Sequence, residues 1–398
     1  MKQFVLFFFL CSVLTLTAQP LVFENSLKTA FEKAKIENKP VFILYYNSDC
    51  PVCIQVEKLF NNNDNLIEFY NKSFVSYRID IHNTGKTDSL FMVNTRLTLT
   101  SIPYFLFFDS NQNMLHVSAI EVDVDFLINV GRKALDPNER TAGLENKYNK
   151  GDRSIKTLYA YSQLVQLYNN DSLTTILAND LYKSFPKSDL GNRKSYVITK
   201  NSVNNIENGF FKFWIKNTDK LVGFEPEKHK GEEKQSLADI VQKSVFSKES
   251  ENWNLEKIAE VKTYVLLTGL SKNPDAFFWE KETKLLIEQK KYEKALSIGE
   301  KMLSEDKTAI QSNLYTIRHF MNLLNTANEL STVKKWLDEI PVVTEDINDR
   351  ADCMYLNALY LMKIHQTEQA QKVISTALKF YEKNKLDTTT LNELNKSY

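Results

Sequence analysis

Val41-Phe42-Ile43-Leu44-Tyr45-Tyr46-Asn47-Ser48-Asp49-Cys50-Pro51-Val52-Cys53 joins an unbroken apolar run to a pair of cysteines across three polar residues. The run at 41–46 has the length and the β-branched and aromatic content of a strand buried on both faces. Pro51 suits the first position of a helix, where its missing N–H is not needed, so the strand is expected to lead into a helix opening at Cys50. Two cysteines three apart on a first helical turn share a face and can close a small disulfide ring. The unpaired N–H groups and the dipole at a helix start favour negative charge, which makes Cys50 the more readily ionised thiol and hence the nucleophile.

Other uses of the pair fit less well. Half a zinc site needs a second ligand pair, and Cys11, Cys353, His82, His116, His229, His319 and His365 offer none at paired spacing, so no metal and no cofactor is expected. A structural staple across so short a loop would contribute little stability. Two cysteines that are merely buried remain the third alternative.

Outward from this stretch, residues 21–136 alternate between helix and strand. Ser26 can cap a helix whose apolar positions are Leu27, Ala30, Phe31 and Ala34, ending near Asn38-Lys39-Pro40. Strands are expected at 74–81 and 101–108, with a short helix at 88–94 between them. The polar run Asp109-Ser110-Asn111-Gln112-Asn113 supplies a hairpin turn into a strand at 114–119, and 124–134 closes with a helix. The expected order is α-β-α-β-α-β-β-α.

Lys39-Pro40-Val41, the C-P-V-C motif, the strand end Arg78-Ile79-Asp80, and Ile102-Pro103 before a hydrophobic strand together resemble the thioredoxin superfamily, specifically its secreted thioredoxin-like members. The resemblance covers about the first third of the chain. It implies a thioredoxin fold, a central mixed sheet flanked by helices, with Cys50 and Cys53 catalytic. It also implies a cis peptide at Ile102-Pro103 beside the dithiol, where the backbone pairs with a substrate chain. Two residues depart from the family pattern. Leu44 stands where the family carries a buried Asp that accepts the proton of the second cysteine, and Asp49 stands where the residue before the first cysteine is usually aromatic. Glu57, one turn beyond Cys53, is either a proton relay or a solvated acid.

Lys2, the apolar stretch 4–16 and Thr17-Ala18 resemble a secretory signal peptide, so residues 1–18 are expected to be removed and the protein to be secreted or periplasmic. No segment is long enough to leave an integral membrane span after cleavage. Export places the dithiol among disulfide-containing or thiol proteins, with a redox partner protein to return it to its starting state. With 50 basic and 50 acidic residues there is no cationic excess to neutralise a phosphate backbone, and nucleic acid is not an expected partner.

Near Leu135-Asp136-Pro137-Asn138 the strand pattern stops. Domains are therefore expected at 19–138, thioredoxin-like, and 139–398, all-α. The segments from Tyr292 to Leu303 and from Thr367 to Leu378 resemble the second helix of a tetratricopeptide hairpin, and Val333 falls midway between Ala295 and Ala370. Three degenerate hairpins are expected at 277–384, with further helix pairs at 155–185 and 237–270. Either these helices form a repeat solenoid or they pack as a simpler helical domain. Cys353, with Met354, Leu356 and Leu359 nearby, reads as a buried small apolar residue rather than a third redox centre. The reading as a whole is an exported thiol–disulfide oxidoreductase; the alternative is a protein-interaction scaffold whose helices bind partners and whose thioredoxin domain mainly docks.

Overall fold

The structure, a computed structural model, describes residues 20–305, 309–340 and 346–396; the expected signal segment 1–18 lies outside the described residues. The chain divides into two compact units between Phe224 and Glu225.

The first unit opens with α1 (Leu27–Glu37), β1 (Val41–Tyr46), α2 (Pro51–Asn62), α3 (Asp64–Ser73), β2 (Val75–Asp80), α4 (Lys86–Thr95), β3 (Tyr104–Phe108), β4 (Met114–Ala119) and α5 (Val124–Leu135). Among the described residues the sheet has four strands in the order β2-β1-β3-β4, with β1 parallel to β2 and the other neighbours antiparallel. This is the expected mixed sheet with one addition. Where a single helix is expected after the cysteines, Asn63 ends α2 in an extended conformation and its side chain accepts the Leu66 N–H at 3.0 Å, starting α3. Asn63 thus serves both ends because its short amide can cap a helix that its own backbone has just left.

Strand β1 is the centre of the core. Phe42 is fully buried, and its ring lies 4.7 Å from Phe105, 4.8 Å from Tyr70 and 5.3 Å from Phe107. Phe31 and Phe91 pack with Phe108 on a second cluster. Tyr70 places its hydroxyl on the Leu127 carbonyl at 2.8 Å and so ties α3 to α5 without an orphaned polar atom.

The unit continues past the end of the strand pattern through α6 (Leu144–Asn149), α7 (Ile155–Leu167), α8 (Asp171–Ser184), α9 (Arg193–Ser202) and α10 (Gly209–Ile215). The join is specific. Val117, on the edge strand β4, donates its N–H to the Thr141 hydroxyl at 3.1 Å, and the Thr141 N–H donates to His116 Nδ1 at 3.2 Å. An exposed strand edge is thereby covered by the following chain.

The second unit holds α11 (Glu233–Val245), α12 (Leu255–Thr268), α13 (Trp279–Glu288), α14 (Tyr292–Glu305), α15 (Ile310–Leu323), α16 (Ala327–Glu339), α17 (Ile347–Lys363), α18 (Thr367–Lys383) and α19 (Thr389–Lys396). Helices α13/α14, α15/α16 and α17/α18 are successive pairs joined by short turns, the helical-hairpin architecture that the spacing predicts. Ala295, Val333, Ala358 and Ala370 are fully buried in one continuous core with Phe320 and Trp336. A residue not singled out by its spacing, Gly299 on α14, makes the closest approach: a Cβ there would stand 2.6 Å from the Phe320 ring and 2.7 Å from Trp336. Among the described residues no helix is long and apolar enough to cross a membrane.

Burial, with the charges of Lys133 and Arg140 nearby, lowers the pKa of His116 from its ordinary 6.5 to about 4. Protonation is therefore easier in the unfolded chain. The stability that neutral His116 contributes is present in full above pH 6.5 and is lost as the pH falls towards about 4, with an upper bound of about 3 kcal/mol. His116→Gln keeps an acceptor for Thr141 without a titrating proton, so urea midpoints measured over this window should fall less steeply than for the native chain; identical slopes would refute the assignment. In the second unit, Gly299→Leu should destabilise by about 1–3 kcal/mol through overpacking, read as a lower midpoint of helix loss.

Candidate active site

Because β1 runs parallel to β2 and antiparallel to β3, the ends of β1 and β2 and the beginning of β3 share one end of the sheet. Tyr46 pairs with Asp80 and Tyr45 with Tyr104. The register gathers three loops there: Asn47 to Cys53 after β1, Ile81 and His82 after β2, and Ile102-Pro103 before β3. The Ile102-Pro103 peptide is cis. Ile102 and Cys50 pack against the same core cluster, which contains Cys53.

Cys50 caps α2 in an extended conformation, Pro51 follows at the first helical position, and the Cys50 carbonyl accepts the Ile54 N–H at 3.0 Å. This is the expected helix start. Both cysteines are free thiols; Cys50 is partly exposed, whereas Cys53 is 1% exposed. Their ionisation differs accordingly. Burial pushes the Cys50 thiol up, yet the Cys53 N–H, the Cys53 thiol and the Val52 N–H outweigh it and hold Cys50 below its ordinary value. No cap hydrogen bond of good geometry is formed by the Cys50 side chain, so this effect is the pull of helix-start amides on the sulfur rather than a completed bond. Burial dominates at Cys53 and, with the Cys50 side chain and charge, pushes it up to about 12 against a partial pull from the Asn47 N–H.

The two departures from the family pattern have definite surroundings. Leu44 is buried in the core cluster that holds Cys53. Asp49 is 82% exposed at its side chain, and its Oδ2 lies 3.8 Å from His82 Nδ1. Glu57 pairs with Arg78 at 3.7 Å, and the Arg78 guanidinium lies over the Phe23 ring. His82 was not legible as a site residue, since it joins the loop only through the register of β1 and β2. Asn47 left a signal in Asn47-Ser48-Asp49, the spacing of an Asx turn: its Oδ1 accepts the Asp49 N–H at 2.8 Å. Cys353 lies on α17, in the other unit, half-buried, its thiol pushed up by burial and by the charges of Asp349 and Asp352. Among the described residues no three His, Cys, Asp or Glu side chains are grouped to hold a metal ion.

The model of a thioredoxin-like domain family matches residues 27–121, from α1 to just past β4. No curated protein matches the chain. The chain therefore carries a thioredoxin-like domain, followed by a helix-rich region.

Of the two thiols, Cys50 should react first with iodoacetamide in the reduced protein at neutral pH, by at least tenfold, with Cys53 labelled only after denaturation or at strongly alkaline pH. Peptide mapping after partial labelling reads this directly, and equal labelling would contradict the asymmetry.

Proposed function

We propose that the chain is an exported thiol–disulfide oxidoreductase acting on protein disulfides. The Cys50 thiolate attacks one sulfur of a client disulfide; the Cys50–client bond forms, the client S–S bond breaks, and the departing client sulfur takes a proton. Cys53 then loses its proton and attacks the Cys50 sulfur, closing the Cys50–Cys53 disulfide and releasing the second client sulfur as a thiol. The client is reduced by two electrons and the dithiol oxidised by two. A redox partner protein reverses this on the enzyme.

The observation that carries the reading is the opposite displacement of two thiols one helical turn apart, Cys50 held low at the helix start and Cys53 held high in the core. A low attacking thiol beside a high resolving one suits a cycle in which the first bond forms quickly and the second thiol attacks from within. Val52 and Ile54 keep more than a third of their surface exposed and flank the dithiol, an apolar rim suited to an unfolded or extended client. Ile102 and the cis Pro103 supply the neighbouring backbone that, by family resemblance, positions a substrate chain. Export rests on residues 1–18, and the helices would recruit the client or the redox partner.

Cys53→Ser should accumulate mixed disulfides with client proteins through Cys50, visible as reductant-sensitive bands, whereas Cys50→Ser should trap few. Intact mass of the protein from its native compartment should start near Gln19. No trapped species from either variant would favour the scaffold reading, and a chain retaining residues 1–18 would favour an anchored form.

A further inference from the structure

The loops at the dithiol end of the sheet are 47–53 after β1, 81–85 after β2, 97–103 before β3 and 120–123 after β4. The last belongs there because β4 runs antiparallel to β3, so that Ala119 pairs with Tyr104 in the same row as Tyr45. Neighbouring strands lie about 5 Å apart, which puts the end of β4 about 10 Å from the end of β1. Ile120, Ile102 and Cys50 accordingly pack against one core cluster. In a chain whose acids and bases balance at 50 each, these loops hold Asp49, Glu121 and Asp123 and no lysine or arginine. Lys86 and Arg96 lie just outside them, at the two ends of α4. The Asp49 side chain is 82% exposed, and Glu121 and Asp123 are exposed as well. One oxygen of Asp123 caps α5 on the Phe126 N–H at 2.8 Å, which leaves Asp49 and Glu121 as the carboxylates turned wholly to solvent or to an incoming chain. Glu57 is offset by Arg78 at 3.7 Å, so that pair adds no net charge. Val122, like Val52 and Ile54, keeps more than a third of its surface exposed and stands between two of the carboxylates.

We propose that this rim selects the client by charge: the dithiol takes disulfides flanked by cationic and apolar residues. Asp49, one residue before the nucleophile, is the main specificity-determining side chain and Glu121 the second. The inference rests on the oxidoreductase reading and adds to it the class of client. Complementary charge acts on the encounter and its register, not on which bonds form or break. Cys50 still attacks one client sulfur and the other still leaves, as in the cycle above. The attacking sulfur is itself negative, so an anionic client meets like charge from the thiolate, Asp49 and Glu121 together, whereas a cationic client is drawn by all three. The field extends over a Debye length of about 10 Å at 0.1 M salt, which matches the spacing of the loops. Val52, Ile54 and Val122 add non-directional apolar contact that tolerates varied client sequences.

Two methanethiosulfonates of opposite charge, one carrying a trimethylammonium group and one a sulfonate, read the field at Cys50 without a client. With each, the Cys50 thiolate bonds to the probe sulfur and methanesulfinate leaves. In the full chain carrying Cys53→Ser, peptide mapping counts the Cys50 adduct separately from any at Cys353. The cation-to-anion rate ratio, divided by the same ratio for free mercaptoethanol, should be about tenfold at about 10 mM salt. It should fall to within about twofold at about 1 M, where the Debye length is about 3 Å. Asp49→Asn and Glu121→Gln should each lower the ratio about threefold, and Asp49→Glu should keep it; a purely structural effect would slow both probes alike. With the native chain, one turnover of the reduced dithiol on a disulfide-looped peptide flanked by lysines should outpace the same peptide flanked by glutamates by about tenfold at low salt. A normalised ratio near one, a ratio that neither neutralising variant moves, or equal turnover of the two peptides overturns the selection. If the ratio holds while neither peptide is reduced, the oxidoreductase reading falls and the cation-selecting rim stands.

Discussion

The pairing of β1 on both of its edges is the constraint on which the rest of the first unit depends. A strand hydrogen-bonded to β2 on one side and to β3 on the other, with both faces covered, has no place for a polar side chain except at its ends. Phe42 and Leu44 therefore go to the core face, Val41 and Ile43 to the opposite one, and the first polar residue allowed is Asn47, beyond the last pair. The same pairing decides what lies beside Asn47. A parallel neighbour delivers the end of β2 to that end of the sheet, and an antiparallel neighbour delivers the beginning of β3. Chemistry collects there because the backbone leaves the sheet three times within a few residues.

The difference between the thiols follows from their depth in this arrangement. Both cysteines are affected by burial, which disfavours a thiolate wherever it acts, and both stand at the same helix start. What separates them is that Cys50, as the capping residue, receives the field of amides with no partner, whereas Cys53 is inside the first turn and packed among Val56, Phe60 and Leu44. A capping position gains a donor field without losing all its water. One turn further in, desolvation outweighs the same field. Exchanging the packing around Cys53 would therefore alter the asymmetry more than exchanging exposed charges such as Asp49, which solvent screens.

Much of the fold was legible because its signals are local. Ser26 before an apolar helical face does cap α1, accepting the Thr29 N–H at 3.1 Å, and Asp109 does organise the hairpin turn, accepting the Asn111 and Asn113 N–H groups at 2.8 Å. Alternation and helical spacing likewise located the sheet and the three hairpins. What escaped depends on contacts between distant residues. The break at Asn63 interrupts a stretch whose helical spacing continues on both sides. The tie of Thr141 to His116 carries the first unit beyond the strand pattern. Gly299 matters only because Phe320 and Trp336 arrive opposite it. In the site, the cysteines and Ile102-Pro103 were visible as motifs, whereas the partnership of Asn47 with His82 requires the register of β1 and β2, which no local pattern encodes.

Leu44 shows how stability and chemistry compete for one position. An ionised carboxylate in the cluster formed by Phe42, Cys53, Val56 and Phe105 would have no cation beside it in the core, and a buried unpaired charge costs several kcal/mol unless it takes up a proton. A leucine there instead contributes about 2 kcal/mol by leaving water. The exchange strengthens the strand that carries the whole sheet and leaves no carboxylate at that position beside the buried Cys53 thiol. Support for that thiol then has to come from a group that can approach the core without bringing a charge into it. A backbone amide meets this requirement: it is a permanent dipole and it needs no counter-ion. The loop after β1 is in this sense the complement of the leucine inside it, since an apolar strand interior leaves the charge of the chemistry to be met from the strand's end.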